Sequence, residues 1–154
     1  MLIAVTKTAR WLSVGIIAAL TLPAIAQADT TLLPADSISQ IAGATFQNYQ
    51  IGNVNQMLAE ENTCWDDASR EKGSNKQTIV AACASAAMSG AFIEATYARS
   101  QRRGSHPQYT GDAVRARILK KSGLSEAETQ RILETTVEPN VPAILAGLKG
   151  AGMR

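Results

Sequence analysis

Apolar side chains recur along this chain at helical spacing and nowhere at the alternation a strand requires. Ile38, Ile41, Thr45 and Tyr49 fall on one face, with Ala42 and Phe46 beside them. Ser37 and Gln40 have the spacing of a capping box, which predicts the start of a first helix there. Gly52 and Asn53 interrupt it, as a kink or as a turn. The pattern then resumes through Val54, Met57, Leu58, Cys64, Trp65 and Ala68, predicting a second helix that ends near Arg70.

A second uncharged stretch, Ile79 to Ile93, runs fifteen residues and reads IVAACASAAMSGAFI. With its flanks, Ser74 to Arg103, it predicts one long Ala-rich helix, opened by a second capping box of Ser74 and Gln77. Ile79, Cys83, Ala86, Gly90, Ile93 and Tyr97 repeat at alternating steps of four and three, a seam of mostly small side chains. Val80, Ala87, Met88, Ala91 and Phe92 lie off that seam, so the helix is apolar nearly all round and is expected to be buried. Its uncharged part is shorter than the roughly 20 apolar residues that a membrane span needs.

The loop GSHPQYTG, residues 104–111, follows, and Thr110 or Asp112 can cap a short helix with Val114, Ile118 and Leu119 inward. Arg115, Arg117, Lys120 and Lys121 are read as pointing outward, and Gly123 as the end. Ser125 with Glu128 forms a third capping box, opening a helix that carries Ile132 and Leu133 and is expected to stop before Pro139. Asn140 and Pro142 then start a last helix, Val141 to Lys149. The class is therefore all-α: a small bundle of five or six helices around the central one.

Before this pattern, Lys7 and Arg10 precede an apolar run from Trp11 to Leu22, Pro23 and the small-residue end Ala26-Gln27-Ala28. That is the layout of a secretory signal peptide over residues 1–28, cleaved between Ala28 and Asp29. It implies the periplasm, or secretion from the cell, with no integral membrane segment after cleavage. Residues 29–35 are expected to be a flexible arm, 36–149 the single domain and 150–154 a flexible tail.

Cleavage removes Lys7 and Arg10, the source of the formal charge of +2, and leaves residues 29–154 neutral. Nucleic-acid binding is accordingly not expected. The charge is unevenly placed, however: residues 29–71 carry a net of minus six and residues 72–154 a net of plus six.

Two cysteines in an exported chain predict one disulfide. If the second and central helices turn back on each other near Gly73, Cys64 and Cys83 lie at similar heights, roughly 14 Å from the turn at 1.5 Å per residue. A staple across a helical hairpin needs that placement, and a loop of this size contributes about 3 kcal/mol.

Candidate chemistry is sparse. His106 is the single histidine and has no zinc spacing, the cysteines are not in a CxxC arrangement, and no serine sits in a nucleophile elbow. Glu94 is weighed as a general acid and, with more support, as a carboxylate paired to a nearby arginine. Glu60, Glu61, Asp66 and Asp67 lack the glycine-punctuated loop of a calcium site and are read as a solvated face. No catalytic residue, metal or cofactor is therefore assigned. The candidate partner-binding residues are the basic run Arg99, Arg102, Arg103, His106, Tyr109, Arg115, Arg117, Lys120 and Lys121, where arginine and tyrosine suit an interface. The same run could instead answer the acidic first half within the fold.

These features favour a non-catalytic interaction or accessory protein of the bacterial envelope, such as a subunit of a secretion or conjugative transfer apparatus, or an inhibitor or immunity protein. A periplasmic carrier or chaperone for apolar ligands is the second class, and an enzyme using Glu94 the third. The small-residue seam also offers a second copy a surface on which to pack.

Overall fold

The computed structural model describes residues 31–154, so the expected leader and its cleavage site lie outside the described residues. Helix α1 runs Ala35–Arg70 and α2 runs Gly73–Ser100; a 3-10 turn at Pro107–Tyr109 leads into α3, Gly111–Lys121. Helix α4, Glu126–Ile132, passes through a π turn at Leu133–Val137 and a 3-10 turn at Glu138–Asn140 directly into α5, Val141–Gly150. The described residues thus form an all-α fold of four continuous helical segments, not five or six.

Of two interruptions expected from sequence, the first is a kink and the second does not end its helix. Gly52 and Asn53 leave helical geometry, at φ −139°, ψ 20° and φ 56°, ψ −148°, yet the chain continues as helix on both sides, so the site is a kink inside α1. Asn53 is at positive φ with an extended ψ, a combination rare outside glycine. At Pro139 the expected stop is replaced by the π and 3-10 turns, whose altered hydrogen bonding carries the chain past a residue that cannot donate one.

Capping follows the pattern only in part. Helix α1 starts after Pro34 and α2 after Lys72, neither with a side-chain cap, so Ser37 and Ser74 sit in the first turn rather than ahead of it. Ser125 and Glu128 do form the reciprocal box, and Thr110 caps α3 by accepting from the Ala113 N–H.

The core forms where α1 and α2 pack as an antiparallel hairpin. Near the turn, Cys64 and Cys83 are joined by a disulfide with Cα atoms 5.6 Å apart. At the far end Tyr49 packs on Tyr97 at 4.9 Å between ring centres, and Phe46 stacks on both. Helix α5 crosses the first half of α1, and a Cβ on Gly147 would collide with the Ser39 carbonyl, so the crossing needs glycine. Ile144 and Leu148 of α5 are buried with Ile38 and Ala42 in the same core.

Helix α2 is long and apolar enough to cross a membrane by length and composition, but 56% of its most apolar stretch is covered by the rest of the fold. The end segments make contacts of their own. Leu32 and Leu33 pack on the core, with the Leu32 N–H 3.4 Å from Thr136 Oγ1. After α5, Gly152 at φ +100° lets the Met153 N–H return to the Leu148 carbonyl.

Candidate functional site

The basic run divides into side chains that turn inward and side chains that face water. Two buried carboxylates make the division. Glu61 and Glu94 are only 4% and 0% exposed, and a buried charge is tolerable only when paired and hydrogen-bonded.

Glu61 lies on the inner face of α1, one turn from Met57 and one from Trp65, which are buried with it. Its carboxylate accepts from Trp65 Nε1 at 3.0 Å, Tyr109 OH at 3.2 Å, Arg117 Nε at 2.6 Å and Arg117 Nη2 at 3.0 Å. Arg117 also donates to the Gln108 carbonyl at 2.5 Å and stacks over the Tyr109 ring, 5.2 Å from its centre. The Tyr109 ring lies against Gly90, where a Cβ would overlap it. Burial, with the charge of Glu61 beside it, raises the Tyr109 hydroxyl well above its ordinary value of 10.0. One carboxylate therefore joins α1, the 3-10 turn and α3.

Glu94 sits on α2 where that helix approaches the loop that follows it. Both Glu94 oxygens accept from Arg103, Nη1 to Oε1 and Nη2 to Oε2 at 3.2 Å, and the His106 N–H donates to Oε1 at 2.8 Å. Burial pushes the Glu94 carboxyl up, but the hydrogen bonds from Arg103 and His106 and the Arg103 charge outweigh it and hold the carboxyl below its ordinary 4.5. Glu94 is thus the paired carboxylate, not an acid with a raised pKa. Nearby, burial and the Glu94 charge raise the Tyr49 hydroxyl.

Two expectations are corrected here. Glu61 is not part of a solvated acidic face; Trp65 and Met57 on the same stripe carry it inside. Arg117 does not point outward: its side chain is 14% exposed, because α3 places it over Glu61. Tyr109 and Arg103 are likewise bound internally. His106 uses its main-chain N–H on Glu94, and its Nδ1 accepts from the Gln108 N–H at 3.4 Å.

The remaining bases face water. Arg115 contacts Gln130 at 2.5 Å and Glu138 at 3.6 Å, while Lys121 donates to Asn62 Oδ1 at 2.5 Å. Arg99, Arg102 and Lys120 are exposed and, among the described residues, have no ion-pair partner within 4.0 Å. Arg102 is held at φ 54°, a left-handed angle unusual for arginine.

Two grooves flank the Pro107–Tyr109 turn. One, of about 400 Å³, is largely apolar and is lined by Met88, Ala91, Phe92 and Ala95 of α2 with Tyr109 and Thr110 opposite. The other, of about 570 Å³, lies between Leu58 and Asn62 of α1 and Ala113, Ala116 and Lys120 of α3. The spacing of the sequence did not single out Leu58, Asn62 or Gln108 as surface elements, because only the return of α3 onto α1 gives them a common groove. Among the described residues no three metal-ligating side chains converge, and every buried side-chain nitrogen or oxygen has a hydrogen-bond partner. Comparison of the chain with protein-family models, curated protein sequences and solved structures gave no match.

Proposed function

We propose that this is an exported, non-catalytic contact protein of the bacterial envelope, an accessory component of a larger assembly such as a secretion or conjugation apparatus. Its working surface is the region from Arg99 to Lys121. The observation that carries this reading is the division of the basic run. Arg117 and Tyr109, bound to the buried Glu61, and Arg103, bound to the buried Glu94, brace α3 and the loop, so that Arg99, Arg102, Lys120 and Lys121 are displayed on a fixed surface. Side chains held on a rigid frame lose less entropy on binding, which favours association.

The test is co-purification from a native envelope fraction. Reversing Arg99, Arg102, Lys120 and Lys121 to glutamate should abolish capture of the partner while helical circular dichroism persists, because none of the four supports the core. Unchanged capture, or a chain that fractionates with the cytoplasm and keeps residues 1–28, argues against the reading. Arg103 and Arg117 are unsuitable for this test, since each closes a buried charge pair.

One observation supports a second reading. The groove of Met88, Ala91, Phe92 and Ala95 is apolar enough to hold a small hydrophobic ligand, as a periplasmic carrier would. Saturable uptake of an apolar dye by the native protein, lost on Ala91→Trp, supports the carrier; no uptake removes it.

A further inference from the structure

We propose that the groove between α1 and α3 seats an amphipathic helix from a protein partner, apolar on the face that enters and acidic on the flank beside Lys120 and Lys121. The inference rests on the protein-contact reading and names the class of partner.

Shape supports a helix as the occupant. Two helical walls, α1 at Leu58 and Asn62 and α3 at Ala113 and Ala116, stand on either side of a space of about 570 Å³. Helix α3 turns Val114 and Ile118 into the core and lines the groove with Ala113 and Ala116, flanked by Arg117, Lys120 and Lys121. Two alanines one turn apart leave a channel that longer side chains would close, which is the helix-in-groove mode of recognition. Leu58 and Pro107 add apolar surface, and the amides of Asn62 and Gln108 add hydrogen-bonding groups at the rim.

Charge selects what lies on the outer flank. No acidic side chain lines the groove. Arg117 lines it as well, but its charge is paired with Glu61 and its Nη1 donates to the Gln108 carbonyl. The free charges are therefore Lys120 and Lys121, adjacent at the C-terminal end of α3, with only the neutral Asn62 as a contact. Carboxylates on the incoming helix would find both ammonium groups without displacing an existing ion pair. A flat anionic bilayer fits a concave site poorly, and two free cations are few for a nucleic-acid backbone.

The probe is a fluorescein-labelled helical peptide with leucine at i, i+3, i+4 and i+7 and glutamate elsewhere, titrated against the purified disulfide-bonded protein. The controls are the same peptide with glutamine for glutamate, and phosphatidylglycerol vesicles. The expected result is saturable binding of the glutamate peptide that weakens with salt, falls roughly tenfold or more in Lys120→Glu/Lys121→Glu, and is lost in Ala116→Trp. The lysine variant tests the idea even if the tryptophan variant misfolds. Equal binding of the glutamine peptide, indifference to both variants, or binding of vesicles in place of the peptide overturns it. If an envelope partner is captured through Arg99 and Arg102 but not through Lys120 and Lys121, the contact reading stands and this inference fails.

Discussion

Glu61 and Glu94 are both buried glutamates paired with an arginine, yet they hold the molecule together over different ranges. Glu94 reaches Arg103 and His106, nine and twelve residues along the chain, and fastens α2 to the loop that leaves it. Glu61 reaches Tyr109 and Arg117, 48 and 56 residues away, and fastens α3 and the 3-10 turn to α1. Their partners differ in exposure as well: the Arg117 side chain is 14% exposed and that of Arg103 39%. A charge pair closed off from water is the harder one to break, because the partner left behind has no solvent to turn to. One clamp thus ties α3 and the 3-10 turn to α1, and the other secures only the loop that leaves α2.

The largest effect should come from Glu61→Ala, which strands Arg117, Tyr109 and Trp65. Urea unfolding should report a loss of about 3–5 kcal/mol. A loss below 1 kcal/mol would remove Glu61 from its central place. Next, replacing Cys64 and Cys83 together by alanine should cost about 3 kcal/mol, from restored freedom of the unfolded chain. Because that constraint acts on the hairpin alone, α3 should keep its contacts until global unfolding.

Glu94→Gln should cost less, about 1.5–3 kcal/mol, the range for hydrogen bonds to a charged group, since Arg103 can turn toward water. A cost equal to that of Glu61→Ala would erase the distinction between the two clamps. Acid titration sharpens it. The folded Glu94 carboxyl lies below 4.5, so its contribution is full above that value and is lost as pH falls through the depressed one. The stability gap between wild type and Glu94→Gln should therefore narrow progressively below pH 4.5, as read from melting temperatures; a gap that widens there contradicts the pairing. The smallest effect should be that of Lys120→Glu/Lys121→Glu, within about 0.5 kcal/mol, and a larger loss would make those lysines part of the frame.

The hairpin could be read from sequence because its determinants are local. The heptad seam of α2, the break near Gly73 and equal cysteine heights on either side depend on spacing along the chain, and Cys64 does join Cys83. The third capping box formed for the same reason: Ser125 and Glu128 need only each other. The other two sites had the right letters in the wrong register, since α1 and α2 each begin before the serine. The pairing of Glu94 with an arginine was legible too, because Arg103 follows closely in sequence.

Glu61 departs from the solvated face expected of it, although the sequence carries the signal of its burial. Met57, Glu61, Trp65 and Ala68 step by four, four and three, so the glutamate stands on the buried stripe rather than among the solvated acids Glu60, Asp66 and Asp67. What no spacing shows is which cation meets it. The fit of Tyr109 over Gly90 and the reach of Arg117 to Glu61 depend on how residues 101–110 return the chain to the hairpin. The groove between α1 and α3 comes from that same return, so its lining was equally hidden.

Beside the apolar packing of Tyr109, Val114 and Ile118, Glu61 is the buried polar contact that fixes α3 and the turn to α1. Residue-resolved amide hydrogen exchange of Glu61→Gln and Glu94→Gln, compared with wild type under native conditions, tests it most directly. Exchange should quicken across Tyr109 and residues 113–121 in Glu61→Gln, while in Glu94→Gln those amides stay unchanged and faster exchange is confined to residues 101–106. Wild-type protection of α3 in Glu61→Gln, or equal loss in both variants, would contradict it.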